Sequence, residues 1–222
     1  DSSAASDVYK RQAKGFAAQE FVRANQIDKV IWKNNNAKLG IISAGKSYND
    51  VLEAFRWLGI DEEKAKSMGI ALYKVGMPWP LEPQGIREFC RGLDTVLVVE
   101  EKRELIEHQV KWQLYNWKEN VRPTVIGKQD ENGKWLLPAE NDLPMQTIIE
   151  VIAERISKFN SDSAVINQLD WFQKRNKSQE NINAPLNRKP FFCSGCPHNT
   201  SLMVPEGKRA LGGIGCHYMA VN

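Results

Sequence analysis

The chain has 222 residues and a net charge of +3, with 42% hydrophobic and 26% charged residues. That composition suits a globular chain able to bury a sizeable core, as one large domain or two small ones. It excludes a polybasic nucleic-acid binder. No apolar run reaches the roughly 18 residues of a membrane helix, so neither nucleic acid nor membrane is an expected partner.

The first twelve residues, DSSAASDVYKRQ, resemble a translated sequencing-adapter tail and are set apart from the fold. The chain is expected to be a fragment cut at both ends. Residues 13–35 are expected to be a helical lead-in from a preceding domain. From there short apolar runs alternate with amphipathic ones. KLGIISA (38–44) reads as a strand, and Ser47, with Asp50 three residues on, as the cap of a helix. Val51, Leu52, Phe55 and Leu58 fall on one face of that helix, which Gly59 ends. IALYKVG (70–76) is a second strand, followed by the Pro-rich loop MPWPLEP. QGIREFCRG gives a short helix with Ile86, Phe89 and Cys90 inward. DTVLVVEE (94–101) is a third strand, apolar on both faces like a buried parallel strand. RELIEHQVKWQLYNW reads as an amphipathic helix with Leu105, His108, Val110 and Trp112 toward its packed side. PTVIG (123–127) is a fourth strand and MQTIIEVIAERI (145–156) a helix. The alternation predicts an α/β domain with a mainly parallel, doubly wound sheet over 36–158. Residues 159–190 read as a polar linker.

GIISAGKS (40–47) matches the text of a phosphate-binding loop, so a nucleotide hydrolase is one reading. A phosphate loop needs its strand before the first Gly. Here the strand follows Gly40, and the pattern is out of phase. An ordinary strand-to-helix turn fits better, with Gly45–Ser47 on the edge where open α/β sheets bind ligands. Glu100 and Glu101 end another strand on that edge and read as solvated charges.

Three of the four cysteines lie in the tail, PFFCSGCPHNTSLMVPEGKRALGGIGCHYMA. Such usage suits a reducing, cytoplasmic setting with one metal or redox site rather than a disulfide framework. Cys193 and Cys196 form a Cys-x-x-Cys pair, and Cys216 follows after nineteen residues. Gly195 and the Gly212–Gly215 run give the backbone freedom to turn thiolates inward. Three such thiolates suit zinc or an iron–sulfur cluster, and spacing alone does not separate the two. His198 or His217 could complete a zinc site, which keeps a zinc-stabilised, non-enzymatic interaction module as a further reading. Cys90, on the core face of a helix, reads as structural.

The tail is similar to the start of the thiamine-diphosphate domain of 2-oxoacid:ferredoxin oxidoreductases, and looks closest to the bacterial fused indolepyruvate ferredoxin oxidoreductases. GIISAGKSYNDV, KVGMPWPLEP, LVVEEKRELIE and ENDLP resemble the same family's domain related to the transketolase C-terminal domain. The resemblance implies an enzyme that oxidatively decarboxylates a 2-oxo acid, indolepyruvate or another aryl pyruvate, to acyl-CoA and passes electrons to ferredoxin. It implies Cys193, Cys196 and Cys216 as ligands of a [4Fe–4S] cluster whose fourth ligand lies downstream. It also places His198, Gly213 and Gly215 beside thiamine diphosphate, which binds with Mg2+ mostly outside these residues, with coenzyme A as co-substrate. Residues 191–222 would be the start of the cofactor domain, and other domains or subunits of the same enzyme would be partners. The 222 residues alone are expected to be inactive.

Overall fold

In the computed structural model the backbone is described for residues 3–180, 191–209 and 215–216, and side chains for 13–177, 191–209 and 215–216. The chain divides into two compact units, residues 1–175 and 176–222.

The first unit is built on a five-stranded sheet. β1 (Lys29–Trp32), β2 (Leu39–Ala44), β3 (Ile70–Val75), β4 (Thr95–Val99) and β5 (Thr124–Ile126) stand in the order β1-β3-β2-β4-β5. β3, β2, β4 and β5 run parallel, while β1 pairs antiparallel with β3, with a register break between Val30 and Trp32. Along the central strands alternate residues enter opposite cores, the period of two that a pleated strand imposes. Leu39, Ile41, Ile70, Leu72, Leu97 and Val99 join one cluster, whereas Ile42, Ala71, Tyr73, Val96 and Val98 join the other. The first cluster is covered by α2 (Gly45–Trp57), α3 (Glu62–Met68), α6 (Met145–Ser157) and α7 (Ser163–Glu180). The second is covered by α4 (Pro83–Cys90) and α5 (Ile106–Leu114). The expected α/β class and doubly wound, mainly parallel sheet are therefore present.

Several local expectations change. Helix α1 (Ser3–Ala24) runs through residues set apart from the fold as well as the first half of the lead-in, and β1 follows it as an edge strand, so the sheet begins before residue 36. The run KVIW is too short to be read alone and becomes a strand only by pairing with β3. Ser47 does not cap α2. The helix starts at Gly45 with Ala44 at the N-cap and no side-chain cap bond, and Ser47 is buried inside its first turn. Asp61 does cap α3, accepting from Lys64 N at 2.8 Å, in a helix the sequence reading passed over. Glu82 caps α4, accepting from Gln84 N at 2.9 Å and Gly85 N at 2.7 Å, and binds Arg23 Nε of α1 at 3.0 Å. The polar linker is largely α7, whose Val165 and Phe172 are buried in the first core while Trp171 stacks on Trp57 of α2. Its apolar positions are sparse among polar ones, which hid the periodicity. In α5 the buried positions are Ile106, Glu107, Val110, Gln113 and Leu114, whereas Leu105, His108 and Trp112 point to solvent.

Gly40 sits at the closest approach between sheet and helix. A Cβ there would collide with Leu93 Cδ1 and come within 2.9 Å of Phe89 Cε1. Gly40→Ala should lower stability by about 1–3 kcal/mol, the usual cost of overpacking a filled core. Urea unfolding would register this as a lower midpoint at unchanged slope.

Candidate functional site

The chain passes from β2 out to β3, then crosses β2 to enter β4. α2 and α5 leave the carboxyl ends of β2 and β4 toward opposite faces. The crevice between those two ends is where an open α/β sheet offers a ligand site. GIISAGKS lies there, and its geometry is that of a packed strand and a turn. Residues 39–44 are extended, and Ile41, Ile42 and Ser43 are fully buried. Ser43 Oγ donates to Val99 O of β4 at 2.7 Å. Gly45 takes a φ of 55°, which lets the chain turn into α2. Lys46 Nζ is held by Asp50 at 2.7 Å and Glu101 at 3.1 Å, and these hydrogen bonds, Asp50's first, raise its pKa. No backbone loop curls around a phosphate volume, and the lysine is already paired. This overturns the nucleotide-hydrolase reading.

Glu100 is not the solvated charge that its place at a strand end suggests. It is buried and accepts from Ile106 N at 2.8 Å and Glu107 N at 2.9 Å, capping α5 from six residues upstream. Burial raises its pKa, opposed by the N–H donors of the α5 turn and by Lys128. Lys128, buried beyond β5, donates to Pro138 O at 3.0 Å and Glu100 O, and burial lowers its pKa against the pull of Glu100 and Glu107. Glu107 accepts from Lys128 N at 2.8 Å and Lys111 Nζ at 2.6 Å. Glu100, Glu107 and Lys128 thus tie β4, α5 and the segment after β5 together at the carboxyl edge. Sequence reasoning missed this network. The one available signal was an acid ending an apolar strand shortly before a helix start.

In the second unit, Cys193–Cys196 forms a tight turn closed by Cys196 N donating to Cys193 O at 3.0 Å, with Gly195 at a φ of 75°. Pro197 precedes the short helix α8 (His198–Ser201). His198 Nδ1 lies 3.1 Å from Cys196 Sγ, and its ring stacks on Phe192 with centroids 5.5 Å apart. Cys193 and Cys216 are exposed and Cys196 is half-buried. Gly215 has a φ of 149°. Gly213 and His217 lie outside the described residues. Among the described residues no three His, Cys, Asp or Glu side chains gather as a metal site. The turn brings the Cys196 thiol and the His198 imidazole into contact and carries Cys193 at its start, residue types that suit a thiolate-ligated metal or cluster. Cys90 is the opposite case, its thiol pushed up to about 12 by burial.

Two outcomes test these assignments. Lys46→Ala should change stability by less than about 1 kcal/mol, because solvent screens its ion pairs, and ATP should leave the melting temperature of either protein unmoved in calorimetry. With a thiol reagent under reducing-agent-free, anaerobic conditions, Cys193, Cys196 and Cys216 should react in the folded, metal-free 222-residue chain, and Cys90 only after denaturation.

The family described as "Indolepyruvate oxidoreductase domain" matches residues 29–179, which ends short of the cysteine tail. Among curated proteins the chain is similar to indolepyruvate oxidoreductase subunit IorA of Pyrococcus horikoshii, 35% identical over 193 residues, covering 84% of this chain and 26% of that protein. The IorA subunit of Thermococcus kodakarensis is 32% identical over 191 residues, with 84% and 26% covered. The chain thus spans about a quarter of the length of the curated relatives it matches. Among solved structures it is similar to a split-gene transketolase at a TM-score of 0.39 and 13% identity, covering 60% of this chain and 42% of that one. A 2-oxoglutarate:ferredoxin oxidoreductase from Magnetococcus marinus gives a TM-score of 0.39 at 18% identity, covering 58% and 19%. The family match covers more than half of the chain, and the chain belongs to the indolepyruvate oxidoreductase domain family.

Proposed function

We propose that the chain is part of an enzyme that oxidatively decarboxylates a 2-oxo acid, indolepyruvate or another aryl pyruvate, to acyl-CoA and reduces ferredoxin. The observation that carries this reading is the Cys193–Cys196 turn with His198 against its second sulfur, in a chain whose preceding unit belongs to the indolepyruvate oxidoreductase domain family. Cys193, Cys196 and Cys216 would hold a [4Fe–4S] cluster, with a fourth ligand from elsewhere in the protein. When bound, thiamine diphosphate with Mg2+ supplies the electron sink for loss of carbon dioxide, and the cluster supplies a one-electron relay toward ferredoxin.

The residues of this chain have definable parts in that scheme. The Cys196 N–H is consumed by Cys193 O, which sets the two thiols on one turn. His198, donating from Nδ1 to Cys196 Sγ, would delocalise charge from that sulfur, and hydrogen bonds to ligand sulfurs are one means by which proteins tune a cluster's potential. Phe192 fixes the imidazole plane by stacking. Gly213 and Gly215 would let the backbone approach cluster and cofactor without a side chain between them. Ser43, Lys46 and Glu100 at the carboxyl edge of the α/β unit are spent on the fold, and the part proposed for that unit is to position neighbouring domains. The 222 residues alone would not turn over.

The experiment is metal analysis of the full-length polypeptide purified anaerobically. Roughly four iron and four acid-labile sulfides per site are expected, lost on Cys193→Ser or Cys196→Ser, with coenzyme A-dependent reduction of ferredoxin by indolepyruvate. Stoichiometric zinc with no iron overturns the proposal in favour of a zinc-stabilised module.

A further inference from the structure

Helix α5 buries one apolar face and leaves large hydrophobic side chains exposed on the other. Ile106, Val110 and Leu114 are buried in the second core. The opposite stripe, Leu105, His108, Trp112 and Tyr115, follows the same helical spacing but faces solvent, with Trp112 78% and Tyr115 73% exposed. Neither ring stacks on another aromatic ring among the described residues. Gln109, on the same helix, accepts from Leu81 N at 2.8 Å and donates to Pro78 O at 2.8 Å, which brings the loop bearing Trp79, 67% exposed, alongside. At the far end Arg87, Trp112, Tyr115 and Trp117 line a hollow of about 340 Å³.

Large aromatic side chains exposed side by side on a surface mark an interaction site. Trp, Tyr and Arg are the residues that carry most of the binding energy at the centre of interfaces. At these exposures the side chains present on the order of 400 Å² of mostly apolar surface, the upper range for a monomer and about half of what one side of a stable interface buries.

We infer that the Leu105–Tyr115 face of α5, with Trp79 beside it, is an interdomain interface covered by another domain of the same polypeptide lying outside these 222 residues. Length selects this occupant. The curated relatives are about four times longer than the matched stretch, so the remaining polypeptide is tethered to this unit at an effective concentration that a free partner or a second copy does not reach. Arg87 at the hollow, and Arg122, which donates to Tyr115 O at 2.9 Å, put positive charge around the patch. The covering surface is therefore apolar at its centre with carboxylates at its rim. The inference rests on the family's length and not on the cofactor reading, so the two fail separately.

The test uses the full-length polypeptide, purified without other subunits, carrying the photo-cross-linker p-benzoylphenylalanine in place of Trp112. Irradiation should give a product of unchanged mass whose cross-linked peptide comes from outside residues 1–222. A product of doubled mass, a peptide from residues 176–222, or no cross-link overturns the inference. Hydroxyl-radical footprinting of the unsubstituted protein gives an independent readout. Trp112 should be oxidised several-fold more slowly in the full-length polypeptide than in the 222-residue chain, and equal rates overturn the inference.

Discussion

A carboxylate buried at the end of β4 holds the working edge of this domain together. Glu100 takes the first backbone N–H groups of α5, which would otherwise be orphaned in the interior. In doing so it fixes the direction in which the chain leaves the sheet. Glu107, placed by that turn, takes the backbone N–H of Lys128, and the Lys128 ammonium returns to Glu100 O and Pro138 O. Each charge is buried against a partner, and removing one would leave the others uncompensated, a far larger loss than breaking an exposed pair. Gly127 is part of the same constraint, because a Cβ there would collide with the Glu107 carboxylate and lie 3.0 Å from Val98 O.

The network belongs to a wider pattern at the carboxyl edge, where several donors and acceptors are spent on the fold. Ser43 is bonded across to β4, Lys46 to Asp50 and Glu101, and Glu100 to α5. Such an edge gives rigidity to whatever packs on it. The cysteines stand in the other unit, where Cys196 meets His198 on the turn that Cys193 opens.

The fold was legible wherever burial was two-sided or amphipathic. The apolar runs 39–44, 70–75 and 95–99 and the helix at 145–157 announce themselves, because a parallel sheet between helices demands such strands. What could not be read was decided by tertiary contact. KVIW is a strand because β3 offers an edge. Glu82 and Glu100 are caps because helices begin beside them, whereas in sequence each is one acid among many. The face of α5 was assigned only partly correctly, because Leu105 and Trp112 on the outer side are as apolar as Ile106 and Leu114 on the inner one, and only the packed structure distinguishes them. At the candidate site, local spacing brought Cys196 and His198 together on the turn that Cys193 opens, since neighbouring residues on a turn need no fold to meet. The place of Cys216 relative to them depends on a long connection that spacing does not determine.

The bulged strand β1 has a consequence for how this domain meets others. It closes one side of the sheet with four residues, an exposed lysine at its start and a break in register between Val30 and Trp32. β5 closes the other side with three. Neither rim can template a growing ribbon of hydrogen-bonded backbone, because both are short and the longer is interrupted and charged. Assembly of this domain into anything larger therefore proceeds by side-chain shape and not by strand addition.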